Sequence, residues 1–392
     1  MAAEFSRKEL DGVDITSDEG TLRPEYRVFF LWDNNEIDKA AMAGMTDFEW
    51  MLYMMRLNDP ELTDRFVIDE KNPDYIIGTD KCLYKPETHR KLMHYLRYNR
   101  KSIFIFATVE CIEPDLNIFD YAYTWNPDLE CGDRIIHNFH YIYDVRRKTP
   151  LSNDLTLEDA RKMLGNGLGF CNFVYSHTEK FRDKVFLLLS QYKRVDSLGR
   201  HRNNMGNQHT RNAANWYDLS IKLKEGYKFS IAIENANHKG YTSEKIIGSL
   251  QAHTVPIYWG DPAITDYINP KAFINCHDYD TIEEVIERVK EIDNDDEQWL
   301  DMVTQPWQTE EQRARTIHDA EEYIRRTRHI FSQDISKARR RSEGGWEKSY
   351  RRNFQGIIPP LSVRMLLKLR QTIGMIFPLD LKLKLKEKLH ID

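Results

Sequence analysis

Cysteine is scarce in this 392-residue chain, and no run of apolar residues is long enough to cross a bilayer as a helix. The five cysteines, Cys82, Cys111, Cys131, Cys171 and Cys276, are odd in number and far apart. That excludes a disulfide scaffold and clustered zinc knuckles, and it suits a reducing cytosol. The first twenty residues lack the apolar centre of a signal peptide. No GxxxxGK[ST] phosphate loop, HExxH zinc motif or GxSxG nucleophile elbow occurs. The one glycine-rich stretch, GNGLG (165–169), precedes an apolar run instead of following one, the wrong order for a Rossmann turn. The acid pairs in DYD (278–280) and DND (293–295) flank a helical segment, where turn and cap roles come first, so no metal site is expected.

What the chain does have is ordinary globular material: 41 % hydrophobic and 30 % charged residues, enough for more than one core. The net charge of −6 argues against a nucleic-acid binder, but it is unevenly spread. Residues 337–392 hold fourteen Lys/Arg against five Asp/Glu, a net +9, which leaves −15 on the rest. A basic end on an acidic body points to an anionic partner surface. Within it Leu361, Met365, Leu366, Leu369, Ile373 and Ile376 fall in a helical arc of about 140°. Residues 361–392 therefore read either as a peripheral anchor on an anionic membrane or as a helix returning onto the N-terminal half.

The order of elements predicts an α/β protein. Buried strands are expected at 26–32, 74–79, 102–110 and 121–125, with more extended chain at 134–143 and a helix from Pro86 to Tyr98. After a helix and glycine-rich exit within 149–169, the pattern restarts. Strands are expected at 170–176, 228–235 and 255–260, and helices at 178–192, 243–252 and, after AFINC (272–276), at 281–292. This gives a leader at 1–24, a first α/β domain at 25–168, a second at 169–345 and a basic tail at 346–392.

Three places could carry chemistry. In 228–260 a buried strand ends in Glu234–Asn235, and a polar loop then leads to a helix opening with Thr242, Ser243, Glu244 and Lys245. Open α/β sheets bind ligands beyond the carboxyl ends of their strands, and a helix N-terminus with a lysine favours phosphate. Glu244 suits a ribose or sugar hydroxyl, or simply complements the helix dipole. The loop 199–211 carries Arg200, His201, Arg202, His209 and Arg211, a phosphate grip or a solvated basic loop. Glu110 ends a buried strand, where a carboxylate can serve as general base, and Glu113 competes for that role.

The segment 229–260 resembles the donor-site signature of the α-1,3-fucosyltransferases, glycosyltransferase family ten, and most closely their bacterial branch. It supplies Phe229, Glu234, Asn235, Tyr241, Glu244, Lys245, Val255, Pro256 and Gly260, while Ile233, Ala236 and Ser243 depart from the pattern. Upstream, residues 106–125 are similar to that branch's catalytic-base segment, with Val109 where glycine is usual. The resemblance implies a GT-B fold, two Rossmann-like domains facing a cleft, and inverting transfer of L-fucose from GDP-fucose to an oligosaccharide hydroxyl. It puts Glu110 in the place of the base and Arg202, Asn235, Tyr241, Glu244 and Lys245 at the donor, with no cofactor and no divalent metal required. A cytoplasmic enzyme, peripheral on a membrane, is the expected setting. A GT-B transferase for another nucleotide sugar and a non-catalytic glycan- or membrane-binding protein are the alternatives.

Overall fold

A computed structural model describes residues 22–31, 59–108, 110–137, 143–144, 149–150, 152–206, 216–342, 344–354 and 365. The leader at 1–21, and the tail beyond 354 apart from Met365, lie outside the described residues.

The first sheet has six parallel strands, β1 (Tyr26–Leu31), β2 (Phe66–Ile68), β3 (Tyr75–Gly78), β4 (Ile103–Ala107), β5 (Tyr121–Thr124) and β6 (Ile135–His137), in the order β2-β1-β3-β4-β5-β6. Its near-continuous apolar strands are those of a sheet covered on both faces. Successive side chains alternate between faces. Tyr26, Val28 and Phe30 therefore join one core with Ile103 and Ile105, while Phe29, Leu31, Phe104 and Phe106 join the other. Helix α1 (Pro86–Tyr98) covers the second face through Leu92 and Tyr95, and its proline stands at the first helical turn as expected. Of the extended chain expected at 134–143, the structure has β6 and residues 143–144, which pair with 149–150 in an antiparallel ribbon.

Helix α2 (Leu157–Gly165) leads into a second, five-stranded parallel sheet. Its strands are β7 (Gly169–Phe173), β8 (Val195–Ser197), β9 (Tyr227–Ile233), β10 (Val255–Trp259) and β11 (Ile274–Asn275), in the order β8-β7-β9-β10-β11. This is a doubly wound order, with its topological switch point between β7 and β9. Helices α3 (Lys180–Tyr192), α4 (Trp216–Lys224), α5 (Glu244–Gln251), α6 (Ile282–Asp293) and α7 (Asp296–Val303) surround it. Thr281 and Glu284 form a capping box on α6, and Asp295 caps α7. Asp293 is engaged by Tyr192, Lys193 and Lys228, and Asp278 by Asn275, so the two acid pairs are caps and ion-pair partners.

The chain then crosses back. Helix α8 (Glu310–Ser332) puts Ala320, Tyr323, Ile330 and Phe331 into the core of the first sheet, not the second. Tyr121 and Tyr123 of β5 bond Ala338 and Thr327. Arg341 is buried against Asp120, and Arg340 pairs with Asp133. Helix α9 (Gly345–Phe354) then packs Phe354 beside His89 of α1. From Ala320 to Phe354 the chain thus packs with the first sheet's body, whereas the sequence groups 310–345 with the second; the opening turns of α8 still hold the second, where Gln312 donates to the carbonyl of Thr265 and Asp319 accepts from the Tyr267 hydroxyl. Asn153, ahead of α2, donates to the carbonyls of Val303, the last residue of α7, and of Gln305, at 2.8 Å each. Among the described residues no helix is long and apolar enough to cross a membrane.

Candidate active site

The site lies at the carboxyl ends of β7 and β9, where doubly wound sheets open a crevice. Strand β9 ends by turning Glu234 inward and Asn235 outward. Glu234 is fully buried, seated in space that a Cβ on Gly260 would fill, 2.4 Å from the Glu234 Cγ. Its carboxylate accepts from the Ser243 backbone N–H (2.8 Å), the Ser243 hydroxyl (2.6 Å) and Lys245 Nζ (2.8 Å). Lys245 also donates to Ser243 Oγ at 2.7 Å. The facing carboxylates of Glu234 and Glu244 outweigh burial and hold the Lys245 ammonium well above the ordinary lysine range.

Ser243 stands at the N-cap of α5, yet its hydroxyl is spent on Glu234 and makes no cap hydrogen bond. Helix α3 differs, because the Glu179 carboxylate caps its Phe181 and Arg182 N–H groups. The Rossmann position for a phosphate, the helix after the first strand, is therefore already filled by a carboxylate. The α5 terminus, with Lys245 beside it, is left as the anion-favouring one.

Arg202 has a positive φ of 55°, sparsely populated for a residue with a side chain. It donates to Asp183 Oδ2 at 3.3 Å, and its Nε is buried with no hydrogen-bond partner. His201 bonds the other Asp183 oxygen at 2.7 Å, while its backbone N–H reaches Tyr175 O at 2.8 Å. Gly199 permits this approach, since a Cβ there would lie 2.2 Å from Tyr175 O. Burial raises the Asp183 carboxyl, but hydrogen bonds from Arg202, His201 and Thr178 outweigh it and leave the pKa lowered. Arg200 is exposed, and residues 207–215, with His209 and Arg211, lie outside the described residues.

The loop from Ala236 to Thr242 is fastened by Asp261, which accepts from the Gly240 and Ala263 N–H groups and the Thr242 hydroxyl. Burial raises the Asp261 carboxyl. This loop meets the first sheet's body. His238 and Tyr241 pack edge-on against Trp125 at 4.3 and 5.9 Å, and Lys239 pairs with Asp128 at 2.6 Å. Across that contact stands Glu110, half-buried after β4, its N–H bonded to Thr108 Oγ1 and Thr108 in turn to Asp80. The buried Tyr241 phenol, pushed well above its ordinary range mainly by desolvation, lies within electrostatic reach of Lys245, Glu234, Glu110 and Glu244. Cys111, raised to about 11 by burial, is influenced by Glu113, Glu110 and Glu234. Glu110 and the β9–α5 motif therefore lie near one another, on the side of the Trp125 contact. Glu113, exposed, accepts from the Asn126 amide at 2.6 Å.

Sequence reasoning did not single out Arg182, Tyr175, Asp261 or Trp125. A signal existed for Arg182, which falls at helical spacing with Val185, Phe186 and Leu189 and so on the buried face of α3. Among the described residues no group of three or more His, Cys, Asp or Glu could hold a metal ion.

Residues 170–343 match the family model described as glycosyltransferase family 10 (fucosyltransferase) C-term. The chain is 28 % identical over 247 residues to the alpha-(1,3)-fucosyltransferase FucT of Helicobacter pylori, covering 55 % of this chain and 48 % of that protein. It is 26 % identical over 192 residues to the GDP-fucose protein O-fucosyltransferase 3 of Gallus gallus, covering 48 % and 39 % respectively. The chain thus spans about half or less of the length of these curated relatives. A crystal structure of an alpha1,3-fucosyltransferase superposes with a TM-score of 0.56 at 21 % identity, covering 82 % of this chain and 96 % of that one. The α/β fold with parallel sheets is similar to that of the GT-B fucosyltransferase structures.

Proposed function

We propose that the protein transfers L-fucose from GDP-fucose to a sugar hydroxyl with inversion at the fucose C1. The reading is supported by the nearness of Glu110, from the first sheet, to Glu244 and Lys245 in the span matched to family 10, all within electrostatic reach of the Tyr241 phenol. Asn235, Tyr241 and Glu244 hold the donor through its hydroxyls and phosphates. Glu110 accepts the acceptor's O–H proton as that oxygen forms its bond to C1 on the face opposite the diphosphate. The C1–O bond breaks, and its electron pair leaves with GDP through an oxocarbenium-like transition state. Arg202, Lys245 and the α5 N-terminus meet the charge that builds on the departing diphosphate, the work a divalent metal does elsewhere. The acceptor expected from the family resemblance is O3 of N-acetylglucosamine or glucose in a lactosamine- or lactose-type glycan.

The test is GDP release from GDP-fucose, with and without N-acetyllactosamine, by the intact chain and by Glu110→Gln, each with and without EDTA. Acceptor-dependent release that survives EDTA and falls 10²-fold or more in the variant is expected, the scale of a lost general base. Release unaffected by Glu110→Gln moves the base to Glu113 or another acid, and loss with EDTA brings in a metal.

A further inference from the structure

Arg182 sits in the first turn of α3 and is 2 % exposed. Its Nη2 donates to the carbonyl of Ile233 at 2.9 Å and to Asn235 Oδ1 at 2.8 Å, and Nη1 donates to the carbonyl of His177 at 3.3 Å. The guanidinium lies 3.8 Å over the ring of Tyr175, whose hydroxyl is itself fixed by Ile231 O and the Ile233 N–H, at 2.8 Å each. Among the described residues no carboxylate comes within 4.0 Å of it, and its Nε is buried with no hydrogen-bond partner.

A buried cation without a counter-charge is costly, and carbonyls and a ring face offset only part of that cost. The same charge would serve any anion at the β7/β9 switch point, where the strand ends open. The geometry also settles one amide. Arginine can only donate, so the atom of Asn235 that it grips is the carbonyl oxygen. Both hydrogens of Asn235 Nδ2 are then left to point elsewhere, on an exposed residue at the crevice. Left to rotate, that amide would present donor and acceptor faces alternately.

We propose that Arg182 is a positioning residue for the donor. It locks the Asn235 amide with its N–H groups toward the crevice, where they donate to an oxygen of the nucleoside diphosphate. This rests on the reading of the β9 end as the donor site. It predicts that Arg182 acts through Asn235.

The experiment is a double-mutant cycle on the full chain, with GDP as probe and calorimetric Kd as readout, comparing wild type, Arg182→Met, Asn235→Ala and the double variant. Each single change is expected to weaken GDP binding about 10-fold or more, and the double variant to lie within about threefold of the weaker single. An equal loss from Arg182→Met in both backgrounds, or none in either, overturns the proposal. If Arg182→Met fails to fold, Arg182→Lys is read instead. It keeps the charge but not the fork that holds Ile233 and Asn235 together, so weaker GDP binding with an unchanged melting temperature supports the proposal, and wild-type affinity overturns it. A wild-type chain that binds no GDP removes the donor reading and this inference with it. Binding with additive losses removes this inference alone.

Discussion

At the residue scale the site is a study in where charges are left. Glu234 and Lys245 neutralise one another out of water, so removing either strands its partner. Glu234→Gln is expected to lower stability by about 3–5 kcal/mol, the usual cost of breaking a buried pair from one side, measured by urea unfolding. Lys224, under α5, is the opposite case. It is 7 % exposed, and among the described residues its Nζ donates to the carbonyl of Lys245, at 3.4 Å. Burial pulls its ammonium down from 10.5 to about 8, against the pull of Glu244. A lysine lowered in the fold costs stability wherever it must be charged. That cost is full below about pH 8 and fades as pH rises toward the unfolded value near 10.5. Lys224→Met should therefore stabilise the protein at pH 7 by up to about 3 kcal/mol, with the gain shrinking by pH 10. Unfolding midpoints that respond equally at both pH values would rule this out.

At the scale of elements, the loop 236–242 matters as one piece, because it touches both bodies. Gly240 has φ 81°, and a Cβ on it would stand 2.3 Å from the carbonyl of Trp125. Gly240→Ala should cost about 1–2 kcal/mol from the left-handed backbone alone. It should also push Tyr241 off Trp125, so that kcat/KM for the donor falls more than thermal stability does. Enzymes assayed at equal folded fraction would show whether that difference holds. The longer strands and α1, α3, α5 and α6 were legible because their signals are local: apolar runs for covered strands, a 3.6-residue stripe and caps for helices; β2, β8 and β11, two or three residues each, offer no such run. Helix α8, the longest, was not. Its buried stripe includes Thr316, Ala320 and Thr327, weakly hydrophobic residues in a strongly charged sequence, so periodicity carried little contrast. The motif from Glu234 to Lys245 was legible, but not the inward turn of Glu234, which depends on the space over Gly260, a contact between two strand ends.

At the scale of the whole molecule, the span that matches the family 10 model and the folding unit are different stretches of chain. The matched span 170–343 includes Tyr323, Ile330 and Phe331, whose packing partners lie on the first sheet. A fragment of 170–343 is expected to aggregate with that face bare, whereas 152–309, which keeps α2 and ends before α8, should stay soluble. Light scattering of the two fragments decides between them. The return is fastened by a buried pair, so Arg341→Met, which leaves Asp120 charged in the interior, should cost about 3–5 kcal/mol in the intact chain.

Asn153 gives the last consequence. Two bodies joined by a single strand can swivel freely about it. Here the second body is stitched at its own neck: one amide holds the stretch that enters it to the end of α7 and to the stretch that leaves toward α8.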